Sequence, residues 1–371
     1  MMEQMSNYYN PIPALQALDI NGQVPKILIV DGNRTSGKTT GFLGELFRNW
    51  IDTGQQFACG YKWTGDIGGA SESIFSYITS YCDPETGEQL FSDIEFDSLP
   101  IGKGALYELR ATRPNTEEGL ETCGFCFSLN GSSKVRKYRS LLSNVSIIYY
   151  DDFLPEDGKY CPNELDKFQS IYLTIAGANR PDAEHLRNVR VIMTSNHTEL
   201  SNPYYMSIGI TKRFQANCKW LRGDGWVWHR NDNSGASSAI KRDTFLNIFG
   251  NYGTYASGES YLTNTSAGVE RLRGRMRYVC TIKVNQGMEM CAGVYYHYDS
   301  GYLYISSSVD PSSPINIAPV GQSYSDDISS TKAGTRAFIL LIDAENTGKI
   351  RYETLEQKSV LYMLLGKKLG G

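Results

Sequence analysis

Residues 32–39, Gly-Asn-Arg-Thr-Ser-Gly-Lys-Thr, constrain this chain more tightly than any other stretch of its 371 residues. They complete the pattern G-x-x-x-x-G-K-[ST], whose glycines let successive backbone N–H groups wrap a phosphate. The flanks fit the same geometry. Lys26-Ile-Leu-Ile-Val30 is a short apolar run, as a strand buried on both faces requires, and Phe42, Leu43, Leu46, Phe47 and Trp50 recur at helical spacing. Strand, loop and helix in that order set a phosphate on a helix N-terminus. Gly32, Asn33, Arg34, Thr35, Ser36, Gly37, Lys38, Thr39 and Thr40 are therefore the expected nucleotide-binding residues. Lys38 would reach the β- and γ-phosphates, and the Thr39 hydroxyl would hold Mg2+.

Hydrophobic content of 41% and charged content of 20% describe an ordinary globular protein, long enough for two or three cores. No apolar run approaches the ~20 residues that span a bilayer. The opening Met-Met-Glu-Gln-Met-Ser-Asn lacks the basic and apolar regions of a signal peptide, so a cytosolic protein without a membrane partner is expected. A net charge of −4 argues against a uniformly basic, histone-like surface. Local basic stretches remain: Lys134, Arg136, Lys137 and Arg139 around Tyr138, and Arg271, Arg273, Arg275 and Arg277 in alternation. On a strand, the second set would project from one face. Each is first a solvated charged face and second a phosphate contact. Cys123-Gly-Phe-Cys126 lacks a second ligand pair and is expected to be two buried thiols.

From Lys26 to about Asn196, apolar strands alternate with helical stretches, which predicts an α/β domain with a mainly parallel sheet. Strands are expected at 56–61, 145–150 and 189–194, a helix at 163–176, and turns with short strands at 83–104. Past Pro203 the texture changes to Gly, Asn and Ser, around Trp226, Trp228 and His229. That stretch reads as a loop or small linking domain. Residues 293–305 read as a hairpin about Gly301, 336–342 as a core strand or helix, and 351–365 as a helix.

The strand at 145–150 runs into Asp151-Asp152. An apolar strand ending in an acid after a phosphate loop is the Walker B pattern, with Asp151 holding Mg2+ and Asp152 orienting the attacking water. Asn196, at the tip of the next strand, can sense the γ-phosphate. Hydrolysis also needs positive charge on the transferring phosphoryl group. Arg180 is the best candidate for that arginine finger, ahead of Arg187 and Arg190. No Asn-Lys-x-Asp motif follows, so ATP is expected rather than GTP.

In this order of motifs the chain resembles the genome-packaging ATPases of phi-twenty-nine-like tailed phages, relatives of large terminases and of FtsK/HerA-type ring translocases. The resemblance includes Tyr8-Tyr9-Asn10-Pro11, Arg34 in the phosphate loop, Val145-Ser146, Asp151-Asp152-Phe153 and Pro162-Asn163-Glu164. It continues through Ser195-Asn196, Asn202-Pro203-Tyr204, Lys212-Arg213-Phe214, Gly293-Val294, Gly301, Tyr304-Ile305 and Asp310-Pro311-Ser312. It implies a P-loop ATPase domain of the additional-strand, catalytic-glutamate class over residues 1–200, and a small linker domain over 201–270. Residues 271–371 would be an α+β domain similar to RNase H-like nucleases. Two-metal cleavage needs three or four convergent carboxylates, and only Asp343 and Glu345 end a strong apolar run, so the residues themselves argue against nuclease activity.

The implied activity is ATP hydrolysis driving double-stranded DNA through the portal of an empty capsid. Identical subunits would form a ring, pentameric in that family, with or without a structural RNA. Such a protein works in the host cytoplasm on the procapsid and is absent from the mature virion. Lys134, Arg136 or Lys137 lies near a position where the family places a trans-acting basic residue, or would contact DNA. One departure stands out: the family's catalytic glutamate is Asp152 here, and either this shorter acid or Glu156 orients the water. The competing readings are a related helicase or conjugation-type pump, and a slow-turnover nucleotide-dependent scaffold.

Overall fold

The computed structural model describes residues 9–365 except 115–118, 157–159, 180–185, 199, 201, 215–217, 232–233, 244, 247–255, 257–267, 286–288, 314 and 320–331. The chain divides into two units. One comprises Met1–Thr198 and Gln215–Ser260, the other Glu199–Phe214 and Tyr261–Gly371.

The first unit is built on a nine-stranded sheet of β1 (Ile27–Gly32), β2 (Gln56–Tyr61), β3 (Phe96–Ile101), β4 (Leu106–Ala111), β5 (Glu121–Ser128), β6 (Val145–Tyr150), β7 (Arg190–Asn196), β8 (Trp220–Gly223) and β9 (Trp226–Asn231). Their spatial order is β3-β4-β5-β2-β6-β7-β1-β9-β8. From β5 to β9 every neighbouring pair is parallel, while the β3–β4 hairpin and β8 close the two edges antiparallel. β7 lies between β1 and β6. The last residues of β1, β2, β6, β7 and β9 therefore end on one edge of the sheet.

β1 is buried almost throughout, because parallel strands flank it and helices cover it. The helix α1 (Lys38–Thr53) lays Phe42, Leu43, Leu46, Phe47 and Trp50 into the core with Leu28 and Val30. It ends where Gly54, at φ +72°, turns left-handed and returns its N–H to Trp50. A second helix, α2 (Ile67–Thr79), leads into Tyr81, whose ring covers Gly44 of α1. A Cβ on Gly44 would lie 2.1 Å from that ring, so only glycine permits the approach. The predicted strands at 56–61 and 145–150 coincide with β2 and β6, and the predicted helix is α3 (Glu164–Ala176). Cys123 and Cys126 are buried thiols.

Residues 220–231, read from sequence as part of a linking domain, instead complete the large sheet. Asp224-Gly225 is the two-residue turn of the β8–β9 hairpin, with Gly225 at φ +72°. Val227 and Trp228 are fully buried where β9 pairs with β1. The glycines that suggest a linker are the punctuation of a hairpin.

The second unit holds a five-stranded sheet of β10 (Met276–Asn285), β11 (Glu289–His297), β12 (Leu303–Ser306), β13 (Asn316–Ile317) and β14 (Ile350–Tyr352), in the order β13-β10-β11-β12-β14. β10, β11 and β12 are consecutive antiparallel strands, the latter two forming the predicted hairpin about Gly301. β13 runs parallel to β10, and β14 to β12. The helices α4 (Lys332–Asn346) and α5 (Leu355–Leu365) pack Leu341, Val360 and Leu361 on Cys280, Ile282, Val294 and Ile305. The arginine alternation is not a strand face: β10 begins at Met276, so only Arg277 lies within it. Asp343 and Glu345 sit on α4 rather than at a strand end. Asp343 is exposed, and Glu345 accepts hydrogen bonds from the Tyr352 and Tyr362 hydroxyls, both at 2.5 Å.

Candidate active site

The phosphate loop leaves the tip of β1 and returns into the first turn of α1. Thr35 (φ +54°) and Gly37 (φ +83°) take left-handed conformations that fold the backbone around the loop's interior. The loop is held from outside by two backbone bonds. Tyr9 N–H donates to the Ser36 carbonyl at 2.7 Å, and Arg34 N–H donates to the Ala256 carbonyl at 3.1 Å.

Lys38 is buried. Its ammonium donates to the Asn33 carbonyl at 2.8 Å, Ser36 Oγ at 3.3 Å and Asn196 Oδ1 at 3.4 Å. Burial pulls its pKa down, while the carboxylates of Asp151, Asp31 and Asp152 oppose that shift. The last contact joins the phosphate loop to β7, where Asn196 stands in register with Gly32.

Asp151 is the most constrained acid of the site. Oδ2 accepts from Thr39 Oγ1 at 2.7 Å, and Oδ1 accepts from the Thr194 hydroxyl and, at 3.0 Å, from the Asp152 N–H. Thr194 is in turn bonded to the Tyr149 hydroxyl at 2.8 Å. The Thr39 hydroxyl and Asp151 carboxylate converge at the N-terminus of α1, and both offer hard oxygen donors. That donor set fits Mg2+.

Asp152 occupies the turn beyond β6 at φ +46°, uncommon for a residue with a β-carbon. Burial, then the neighbouring Asp151, pushes its carboxyl up to about 6. The ammonium of Lys62, just past β2, donates to the backbone carbonyls of Asp152 at 2.6 Å and Phe153 at 2.9 Å. Glu156, the alternative water-orienting acid, forms a 2.9 Å ion pair with Arg34 of the phosphate loop.

Arg180 lies outside the described residues. Arg187 donates to the carbonyls of Ile175 (2.6 Å) and Leu142 (3.2 Å), and Arg190 to that of Leu15 (3.0 Å). Both carry structural hydrogen bonds within their own unit. Lys134, Arg136 and Lys137 are exposed on the short helix Ser132–Val135 and the turn Arg136–Tyr138, just beyond the end of β5. Arg139 is committed to the Gly177 carbonyl.

No protein-family profile and no curated protein sequence matches the chain. Solved structures do. A chain of the bacteriophage Phi-29 viral genome packaging motor assembly aligns over 97% of this chain and 99% of its own, with a TM-score of 0.63 at 19% identity. The chain shares the fold of a phage genome-packaging motor protein. The Phi-28 gp11 DNA packaging motor aligns over 96% of this chain and 98% of its own, with a TM-score of 0.53 at 13% identity. The Thermus phage P74-26 large terminase ATPase domain covers 68% of this chain and 93% of its own, at a TM-score of 0.42 and 8% identity.

Within this packaging-motor fold, several residues at the site escape the motif patterns. Thr194 and Lys62 have no signature beyond a strand-end position. His197 follows Asn196 and lies fully buried with its Nδ1 2.9 Å from Asp31 Oδ1, linking the tips of β7 and β1. A polar residue closing an otherwise apolar strand is the signal that Thr194, His197 and Asp31 share.

Proposed function

We propose that this chain is the ATP-hydrolysing motor of a phage genome-packaging machine, driving double-stranded DNA through a portal into a preformed capsid as a homomeric ring. One observation carries the reading. Lys38, Thr39, Asp151, Asp152 and Asn196 converge on one sheet edge, in a chain whose fold matches a packaging-motor protein over 97% of its length. The phosphate loop and Lys38 hold the ATP phosphates, and Thr39 and Asp151 would hold Mg2+, which neutralises charge on the phosphoryl oxygens when bound. Asp152 orients the attacking water. Asn196, already bonded to Lys38, reads the γ-phosphate. The position of β7 between β1 and β6 supports the additional-strand class.

Arg180 is the proposed finger, acting on the neighbouring subunit's nucleotide, which makes each site complete only in the ring. The exposed Lys134, Arg136 and Lys137 would reach DNA phosphates or that neighbour. Three antiparallel strands with β13 parallel to the first support an RNase H-like second unit. β14, on the far edge, lies outside that pattern. We assign this unit no nuclease role, which plasmid cleavage with Mg2+ or Mn2+ checks. The motor would act in the host cytoplasm while attached to the procapsid. Reconstitution with and without RNA decides whether a structural RNA takes part, and a single image of the particle gives the ring size, five in the resembled family.

The test is ATP turnover with duplex DNA and portal-bearing procapsids. Asp152→Asn should lower turnover by roughly 100-fold or more while sparing nucleotide binding. Equal stimulation by single strands without procapsids points to a helicase. Negligible turnover of the native chain with both partners present points to a scaffold.

A further inference from the structure

We propose that Lys62 is a positioning residue for catalysis, holding the Asp152 carboxylate in place through the backbone of the turn that carries it. The inference rests on Asp152 being the water-orienting acid.

Lys62 follows the last residue of β2, beside the tip of β6, where Gly60 and Tyr150 are in register. Its own backbone is pinned from the other side, because Asn130 N–H donates to the Lys62 carbonyl at 3.0 Å. From that anchored base the side chain passes the Tyr150 ring, with Nζ 5.1 Å from the ring centre, and reaches the far side of the turn. There it donates to two successive carbonyls, those of Asp152 and Phe153, at 2.6 and 2.9 Å. Charge-assisted bonds of this length are the strong ones, and a lysine offers three donors for them. Burial draws the ammonium's pKa down, while the carboxylates of Glu164, Asp152 and Asp151 oppose that shift.

The turn needs such a clamp. β6 ends at Tyr150, so the carbonyls of residues 152 and 153 lie beyond its strand ladder, and Asp152 holds a left-handed backbone that L-residues disfavour. An aspartate is one methylene shorter than a glutamate. Its carboxylate has less torsional reach with which to recover from a backbone shift, so its aim at a water depends on where the Asp152 backbone sits. A cation fixed to the neighbouring strand, gripping that backbone at two points, supplies the required rigidity. Lys62 touches neither nucleotide nor water in this account.

The experiment uses the full chain and compares Lys62→Met, Lys62→Arg and Asp152→Asn. It measures steady-state ATP turnover, affinity for a fluorescent ATP analogue, and the thermal midpoint. Lys62→Met should lower kcat by roughly 30-fold or more and leave nucleotide affinity within about 3-fold, the signature of a step beyond binding. Lys62→Arg, which can donate to both carbonyls, should recover kcat to within about 5-fold of the native chain. Should Lys62→Met fail to fold, Lys62→Gln takes its place with the same thresholds. Turnover within about 3-fold of native in Lys62→Met, alongside an inactive Asp152→Asn, would overturn the inference about Lys62 alone. So would an equal fall of affinity and kcat in both Lys62 variants, which marks a structural role. Full turnover in Asp152→Asn removes the underlying reading of Asp152, a distinguishable failure.

Discussion

Thr194→Val isolates the contact that ties strand β7 to Asp151, the acid proposed to hold Mg2+. The threonine hydroxyl has one proton. It donates that proton to Asp151 Oδ1, so the hydrogen bond with Tyr149 must run from the tyrosine O–H to Thr194 Oγ1. Valine preserves the shape and removes both interactions. A hydrogen bond to a charged group contributes about 1.5–3 kcal/mol, and a buried hydroxyl left without its partner costs about 1–3 kcal/mol. Tyr149 is only 2% exposed, so water cannot readily replace the lost acceptor. The two costs overlap because one oxygen serves both, and a net loss of about 3 kcal/mol is expected. Urea unfolding of the nucleotide-free protein measures it. Adding Tyr149→Phe should recover part of the loss, since that change deletes the stranded hydroxyl, and the double-mutant cycle should show coupling of about 1 kcal/mol. ATP turnover of Thr194→Val should require more Mg2+, because Asp151 keeps only its Thr39 and Asp152 bonds. A stability loss below about 1 kcal/mol, or strict additivity with Tyr149→Phe, would refute the proposed chain Tyr149–Thr194–Asp151.

The raised pKa of Asp152, driven by burial and then by Asp151, has a definite sign in stability. A folded-state pKa near 6 against 3.8 unfolded means that its contribution is complete below pH 3.8 and is lost as pH rises through about 6. In the nucleotide-free protein, Asp152→Asn should therefore become progressively more stable than the native chain as pH rises from about 4 to about 7. The gain should be at most about 3 kcal/mol, and parallel stability–pH curves would contradict it. Neutralising Lys134, Arg136 and Lys137 together should flatten the log–log salt dependence of duplex binding by roughly 2 to 3 units, if all three meet phosphates. An unchanged slope would assign them to a neighbouring subunit instead.

What the chain declares by itself is local. Gly32 to Thr39 are consecutive, so the loop's glycines, lysine and threonine carry their geometry within a single strand–loop–helix unit. Asp151-Asp152 is legible for the same reason: after a phosphate loop, an acid closing a short apolar strand falls at the strand's end, whereas the same pattern at Asp343 and Glu345 lies on a helix. The β8–β9 hairpin shows how composition misleads. Its Asp224-Gly225 turn and the buried Trp228 carry the strand signal, but the surrounding glycines, asparagines and serines outvote them when the stretch is averaged. The arginine alternation fails in the opposite sense, a period-2 pattern mostly outside any strand.

Strand order is the part that sequence does not contain. Lys38 meets Asn196, and Asp151 meets both Thr39 and Thr194, because β7 inserts between β1 and β6. Lys62 reaches Asp152 because β2 is the next strand beyond β6. Parallel neighbours are joined by crossovers that leave their order open, and no periodicity along the chain encodes it. Sequence alone therefore marked a phosphate-binding loop pattern and a pair of acids, Asp151 and Asp152, at the end of a strand. The tertiary structure decided which hydroxyl fixes Asp151, which lysine grips the Asp152 turn, and which asparagine faces Lys38, since those pairs are made by sheet order and by burial of the tips it brings together.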